Sequence, residues 1–195
     1  MTKFLGEYIL RPTICDDLIS YFKDHPSKTV GVVSDDGKRS IRKDIKDSTD
    51  LAIAVGENTL VDSYVNEAQV CLDKYKKDYK YADKGQGSYK IVEHINIQHY
   101  SPGQAFHKWH CERSGLGDSL RHLVFMTYLN DVTDKGGTEF YYHNICIAPK
   151  KGLTLIWPVD WTFTHRGIPS PTQEKYIITG WYSYANTNEG VLNEF

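Results

Sequence analysis

Two hydrophobic periods divide the chain. Before residue 89 the apolar positions recur at helical spacing. In TICDDLISYFKD (residues 13–24), Ile14, Leu18, Ile19 and Phe22 line one face. Thr13 is the expected N-cap, two acids follow in the first turn, and Pro26 is a stop. Residues 59–81 repeat the pattern with Leu60, Tyr64, Ala68, Cys71, Leu72 and Tyr75, which predicts a longer helix. From residue 89 the runs are short, β-branched or aromatic, and bounded by Gly, Pro, Asn and Asp. IVEHINIQHY, RHLVFMTYLNDV, HNICIAP, GLTLIWP, WTFTH and KYIITGWYSY all read as strands. Several strands after a helical first part predict an α+β, mainly β molecule: a closed or two-layer antiparallel structure with helices on one outer face. KYADKGQGSY (residues 80–89) offers little to bury and reads as a mobile loop.

Composition narrows this picture. With 195 residues, 40% of them hydrophobic, the chain suits one domain over 1–195. Residues 1–88 would give helical support and N-terminal strands, and 89–184 the strand-built core. A net charge of −2 implies neither nucleic acid nor a membrane surface as partner. The start has no apolar leader and no run reaches spanning length, so a soluble, cytoplasmic protein is expected. Cys15, Cys71, Cys111 and Cys146 are scattered and read as reduced thiols.

The densest chemistry lies in FHKWHCERSG (residues 106–115). Pro102 and Gly103 disfavour a helix there. In an extended chain His110 and Glu112 share a face, while Cys111 points away and His107 lies opposite His110. An iron(II) oxygenase site needs two imidazoles and one carboxylate on one side of the metal. His165 in WTFTHRGIPSP is the leading second imidazole; a solvated His-x-Glu pair and a hydrogen-bonded rim histidine are the ordinary alternatives. On the final strand Lys175 shares a face with Ile177, Thr179, Trp181 and Ser183. A lysine pointing inward would need an anion, such as the carboxylate of a bound dicarboxylic acid; a lysine at a strand end can instead reach water.

Taken in order, these residues resemble the iron(II)- and 2-oxoglutarate-dependent dioxygenases, in their prolyl 4-hydroxylase-like branch. The similarity runs over about residues 94–184. YSPGQAFHKWHCE resembles the family's segment leading into the metal pair, and RHLVFMTYLNDV its Arg-to-Tyr-Leu-Asn strand. GGTEF and APKKG resemble two of its turns. HRGIPSPTQEKYIITGW resembles the distal histidine followed ten residues later by the cosubstrate-binding basic residue and then a tryptophan.

The resemblance implies a double-stranded β-helix (jelly-roll) core, with His110, Glu112 and His165 as iron ligands. Lys175 would bind the far carboxylate of 2-oxoglutarate, helped by Thr179 and Tyr128, and Tyr100 would lie toward the metal. Fe(II), 2-oxoglutarate and O2 would be required, with ascorbate as a supporting reductant. The family usually has Asp where this chain has Glu112. An acid is retained, so hydroxylation rather than halogenation is implied.

The implied substrate is a prolyl residue of a peptide or protein; a free amino acid or small metabolite is the alternative. A turnover-deficient binding module and a cosubstrate-independent cupin-like enzyme are readings of other classes. Trp161, Arg166 and Arg113 are candidate substrate contacts, and Tyr141 and Tyr142 are expected in the core.

Overall fold

The computed structural model describes residues 3–35 and 38–185. The N-cap of helix α1 (Pro12–Asp24) lies two residues earlier than expected, at Arg11, and Pro12 occupies the first turn. Proline has no N–H to leave unpaired there and its ring presets φ, so Thr13 lies inside the helix and Asp16 and Asp17 fall beyond its first turn. Helix α2 (Thr59–Asp78) is capped by Asn58, whose side chain accepts the Val61 N–H at 3.0 Å. It ends at Asp78, short of residue 81, and a 3-10 turn follows at Lys80–Ala82. Residues 83–88 are exposed and outside helices and strands.

The strands, in chain order, are β1 (Gly6–Ile9), β2 (Thr29–Val30), β3 (Val33–Asp35), β4 (Lys38–Ser40), β5 (Thr49–Ile53), β6 (Tyr89–Lys90) and β7 (Ile95–Tyr100). They continue with β8 (Arg121–Tyr128), β9 (Thr138–Phe140), β10 (Ile145–Ile147), β11 (Leu153–Pro158), β12 (His165–Gly167) and β13 (Lys175–Tyr184). The large sheet has the order β1-β11-β8-β13-β7-β5-β2, with β6 also on β13, and its pairings are antiparallel. A small sheet, β10-β9-β12, completes the jelly roll, and β3 and β4 form a separate hairpin. β1, β2 and β5, all from before residue 89, therefore belong to the large sheet rather than standing apart from it. WTFTH is not a strand: residues 161–163 form a 3-10 turn and pairing begins only at His165.

Strand alternation gives the large sheet two chemically different faces. Leu51, Ile53, Ile95, Ile97, Phe125, Ile178 and Tyr182 pack against Ile14, Leu18, Phe22, Tyr64, Cys71, Leu72 and Tyr75 of the helices. The other face holds Tyr100, Val124, Met126, Tyr128, Leu155, Trp157 and Ile177, which meet Phe140 of the small sheet. The helix side also buries hydroxyls in a closed chain: Tyr64 Oη to Thr127 Oγ1 at 3.0 Å and Thr127 Oγ1 to Thr154 Oγ1 at 2.7 Å. Among the described residues no helix is long and apolar enough to cross a membrane.

Gly180 sits in the middle of β13 because Phe125 of the neighbouring strand crosses it. A Cβ there would lie 2.4 Å from Phe125 Cζ and 2.9 Å from Ile95 Cγ2. Gly180→Ala is therefore expected to destabilise the fold by about 1–3 kcal/mol, read as a fall in the thermal unfolding midpoint of a few degrees; an unchanged midpoint would show that the Phe125 ring yields freely.

Candidate metal centre

The chain around residues 106–112 is held extended by backbone bonds on two sides. His107 N–H donates to Ile45 O at 2.7 Å, and Glu112 N–H to Val159 O at 3.1 Å. His110 and His165 exchange both backbone bonds, at 3.0 and 2.8 Å, as an isolated antiparallel bridge beside β12. The pairing is shorter than a strand, yet it preserves the alternation: His110 and Glu112 face inward together. Cys111 Sγ instead points to Arg113 O at 3.5 Å, and His107 is outside the cluster.

One ligand atom from each of His110, Glu112 and His165 lies within 4.8 Å of the others. Glu112 Oε1 is 3.6 Å from His110 Nε2 and 3.4 Å from His165 Nε2. Each imidazole spends its other nitrogen on a carbonyl two residues back: His110 Nδ1 on Lys108 O and His165 Nδ1 on Phe163 O, both at 2.9 Å. A nitrogen facing a carbonyl must carry the proton, so in the neutral rings both Nε2 atoms present lone pairs toward a carboxylate oxygen. Three lone-pair donors aimed at one point repel each other unless a cation sits among them. Two neutral imidazoles and one carboxylate are the donor set that suits iron(II), so the residues fit the metal that the sequence implies.

The surroundings adjust these groups. Burial lowers the His110 pKa, assisted by His165 alongside, and so favours the neutral ring. Burial alone would raise the Glu112 carboxyl; with a proton on each Nε2 the two imidazoles outweigh it and hold it well below its ordinary value, and with neutral rings that task passes to a cation. Phe106 stacks on His110 with centroids 3.8 Å apart, and Trp157 meets His165 edge-on at 5.2 Å.

The longer glutamate is accommodated by pinning its second oxygen. Trp181 Nε1 donates to Glu112 Oε2 at 3.0 Å, and Arg121 lies 3.9 Å from the same oxygen while donating to Glu112 O at 3.0 Å. Arg121 in turn stacks on Trp181, 3.7 Å from the ring centroid, and pairs with Glu93 at 2.6 Å. One oxygen is thus left to face the imidazoles. Arg121 has no role in the sequence expectations beyond its place at the head of RHLVFMTYLNDV; the strand face shared by Lys175 and Trp181 is the signal that could have led to it.

Lys175 is 4% exposed and, among the described residues, has no carboxylate partner. Its ammonium donates to Gly136 O at 2.9 Å and Ile168 O at 3.3 Å, and lies 4.9 Å from the Tyr100 ring centroid. Gly136, the first glycine of GGTEF, has φ +76°, a conformation that costs glycine little; there its carbonyl meets the ammonium. Burial pushes the Lys175 pKa down to about 8. A buried cation satisfied only by carbonyls suits an incoming anion. Tyr128 reaches the same segment from the next strand, through Thr138 Oγ1 at 2.5 Å and Ile147 O at 3.2 Å. Tyr100 pairs with Lys175 across the strands, and its hydroxyl donates to Gln98 Oε1 at 2.6 Å.

Thr179 is not brought to this end. It lies four residues along β13, roughly 13 Å by strand rise, and its hydroxyl donates to Phe125 O at 3.0 Å. The suggested substrate cations are already paired: Arg113 with Asp160 at 2.5 Å and Arg166 with Glu139 at 2.8 Å. Trp161 is exposed, and so are Tyr141 and Tyr142, contrary to the expectation of core. A group absent from the sequence reading is the buried pair Lys46–Asp50, at 2.6 Å, braced by Ser48 and Asn96. An i,i+4 Lys/Asp pair reads as a solvated surface pair; the inward face of β5 is what buries Asp50.

Comparison with known proteins agrees with this arrangement. Residues 95–183 match the 2OG-Fe(II) oxygenase superfamily. No curated protein matches the chain. Among solved structures, the viral collagen prolyl hydroxylase of Paramecium Bursaria Chlorella virus-1, in its 2OG complex, is similar with a TM-score of 0.69 at 20% identity over 94% of this chain and 97% of that one. A prolyl-4-hydroxylase from Pseudomonas putida gives 0.71 at 15%, with 92% of each chain covered. A prolyl hydroxylase from Trichoplax adhaerens, in complex with a hypoxia inducible factor oxygen degradation domain peptide fragment, gives 0.68 at 17% over 91% and 83%. These likenesses establish the fold. The residues matched by the superfamily, 95–183, hold every residue of the triad and Lys175.

Proposed function

We propose that this protein is an iron(II)- and 2-oxoglutarate-dependent hydroxylase of prolyl residues in a peptide or protein. The convergence of two Nε2 lone pairs and one carboxylate oxygen on a single point is the observation that carries the reading. His110, Glu112 and His165 would hold the iron. Lys175, in the same barrel interior, would take the far carboxylate of 2-oxoglutarate, with the Tyr100 ring beneath the ammonium and Tyr128 on the neighbouring strand. Iron(II), 2-oxoglutarate and O2 together supply an oxidant that replaces a C–H hydrogen by hydroxyl while 2-oxoglutarate becomes succinate and carbon dioxide. The solved neighbours that are prolyl hydroxylases, one with a peptide, support the peptidyl-prolyl substrate.

The chain's own groups have separate tasks. The backbone bridge between His110 and His165 sets the spacing of the two imidazoles, and the carbonyls of Lys108 and Phe163 fix their tautomers. Trp181 and Arg121 keep one Glu112 oxygen turned toward the histidines. The apolar wall of Phe140, Trp157 and Phe163 around His165 limits water at the centre.

The assay is succinate formation with iron(II), ascorbate and 2-oxoglutarate, offered proline-containing peptides or free proline; turnover of free proline alone would replace the peptide reading. His110→Ala, Glu112→Ala and His165→Ala are each expected to abolish metal binding, measured calorimetrically with Mn(II) in place of iron. Retained binding in His110→Ala together with loss in His107→Ala would overturn the ligand set.

Trp181→Phe frees Glu112 Oε2, and an approximately tenfold weaker metal affinity is expected, with the fold intact by circular dichroism. Lys175→Ala is expected to raise the 2-oxoglutarate requirement far more than it changes metal affinity.

The Lys175 ammonium is charged below about pH 8 in the free protein, so 2-oxoglutarate affinity should weaken as pH rises through that value. Stability moves the other way. The unfolded lysine holds its proton up to its ordinary value near 10.5, so the folded free chain gains stability as pH rises from about 8 toward 10.5. Lys175→Met should remove both dependences, and pH-resolved titration and unfolding curves check them.

A further inference from the structure

We infer that the buried pair Lys46–Asp50 is a positioning element of the metal centre, acting on the His110 imidazole through the Phe106 ring. The inference rests on the reading of His110, Glu112 and His165 as a metal site, and it adds residues that are not ligands. Lys46 and Asp50 are 4% and 7% exposed, and Nζ lies 2.6 Å from Oδ2. The carboxylate accepts two further bonds, from Ser48 Oγ at 2.7 Å and from Asn96 Nδ2 at 3.1 Å. With three donors around it, Asp50 is a fixed anchor rather than a group awaiting a ligand.

What the anchor holds is the stretch that carries two of the ligands. Residues 45–47 run beside 105–108. The N–H groups of His107 and Lys108 both donate to Ile45 O, at 2.7 and 3.3 Å, and Asp47 N–H donates to Ala105 O at 3.0 Å. Lys46 is thereby paired with Phe106, its ammonium 5.8 Å from the ring centroid. The ring lies flat on the His110 imidazole, with 3.8 Å between centroids and 10° between planes. The stack fixes the plane of the imidazole, and the bond from Nδ1 to Lys108 O fixes which edge faces inward. Together they aim Nε2 at the Glu112 carboxylate.

The other end of the anchor leads to Glu112. Asp50 pairs with Gln98 across β5 and β7, and Asn96, which holds the Asp50 carboxylate, pairs with Thr179 across β7 and β13. Two residues further along the same face of β13, Trp181 donates to Glu112 Oε2. The ion pair thus completes a circuit that runs from His110 through three strands of the large sheet and back to Glu112. Stability alone does not account for it. A buried ion pair loses about as much hydration as it recovers in attraction, and apolar residues of similar volume serve a core as well or better. Apolar residues do not supply the directed bonds that hold Lys46, and with it Phe106, in one place.

The test is the triple variant Lys46→Met/Ser48→Ala/Asp50→Leu, which replaces the pair and its serine brace by apolar groups in the full chain. Its unfolding midpoint without metal is expected to stay close to that of the wild type. Its affinity for Mn(II), measured calorimetrically, is expected to fall roughly tenfold, and the visible absorption of bound Co(II), which reports ligand geometry, is expected to shift. Phe106→Leu leaves the ion pair in place and should reproduce both changes; it decides the question if the triple variant does not fold. Tyr64→Phe is the control. It opens a hydroxyl link on the helix side and should lower the midpoint with metal affinity and spectrum unchanged. Wild-type affinity and spectrum in Phe106→Leu, or in a folded triple variant, would overturn the inference, and so would equal losses in Tyr64→Phe. A wild-type chain that binds neither metal would overturn the centre itself. One that binds both and hydroxylates no prolyl peptide would overturn the substrate reading and leave these measurements standing.

Discussion

Everything in the centre depends on two imidazole protons given to two carbonyls. Because Lys108 O and Phe163 O take the Nδ1 protons, the opposite nitrogens can only accept, and a carboxylate oxygen shares the space they face. In an apolar interior such an arrangement is unfavourable by itself and becomes favourable only around positive charge. The backbone bridge that joins the two histidines makes the arrangement hard to escape, since the rings cannot separate without breaking two hydrogen bonds. Local backbone geometry, rather than the identity of any one ligand, is what defines the centre.

The large sheet carries this design outward. Its helix-facing side is apolar, with a few closed hydroxyl links, and provides the stability. Its inner side is apolar around His165 but polar at β5 and β7, where Lys46, Asp50, Asn96 and Gln98 gather. Lys46 is also bridged to Phe106, which stacks on His110. A buried ion pair thus supports the segment that carries the first two ligands. Removing one partner of such a pair is far more costly than the pair's net contribution suggests.

Much of this was legible in the residues. The periods distinguished the helices from the strands, and alternation correctly separated His110 and Glu112 from Cys111 and turned Lys175 inward. Other features were not, and three of them have plain physical reasons. The start of α1 was decided by Pro12, whose pull on φ outweighed the capping preference of Thr13. Thr179 shares a face with Lys175, but a shared face says nothing of distance along the strand. Tyr141 and Tyr142 read as core because large aromatics usually are; they stand outside because β9 ends at Phe140 and the chain turns into solvent there.

The histidine bridge also has a consequence for the order of assembly. His110 and His165 are separated by roughly 55 positions, a span that includes β8 to β11, so their meeting closes a long loop whose entropy must be met before the contact repays it. An ion held at the centre would tie that loop shut as a removable clasp. Its association would be coupled to the last step of sheet closure, and its departure would loosen first the edge formed by β12 and the segment beside it.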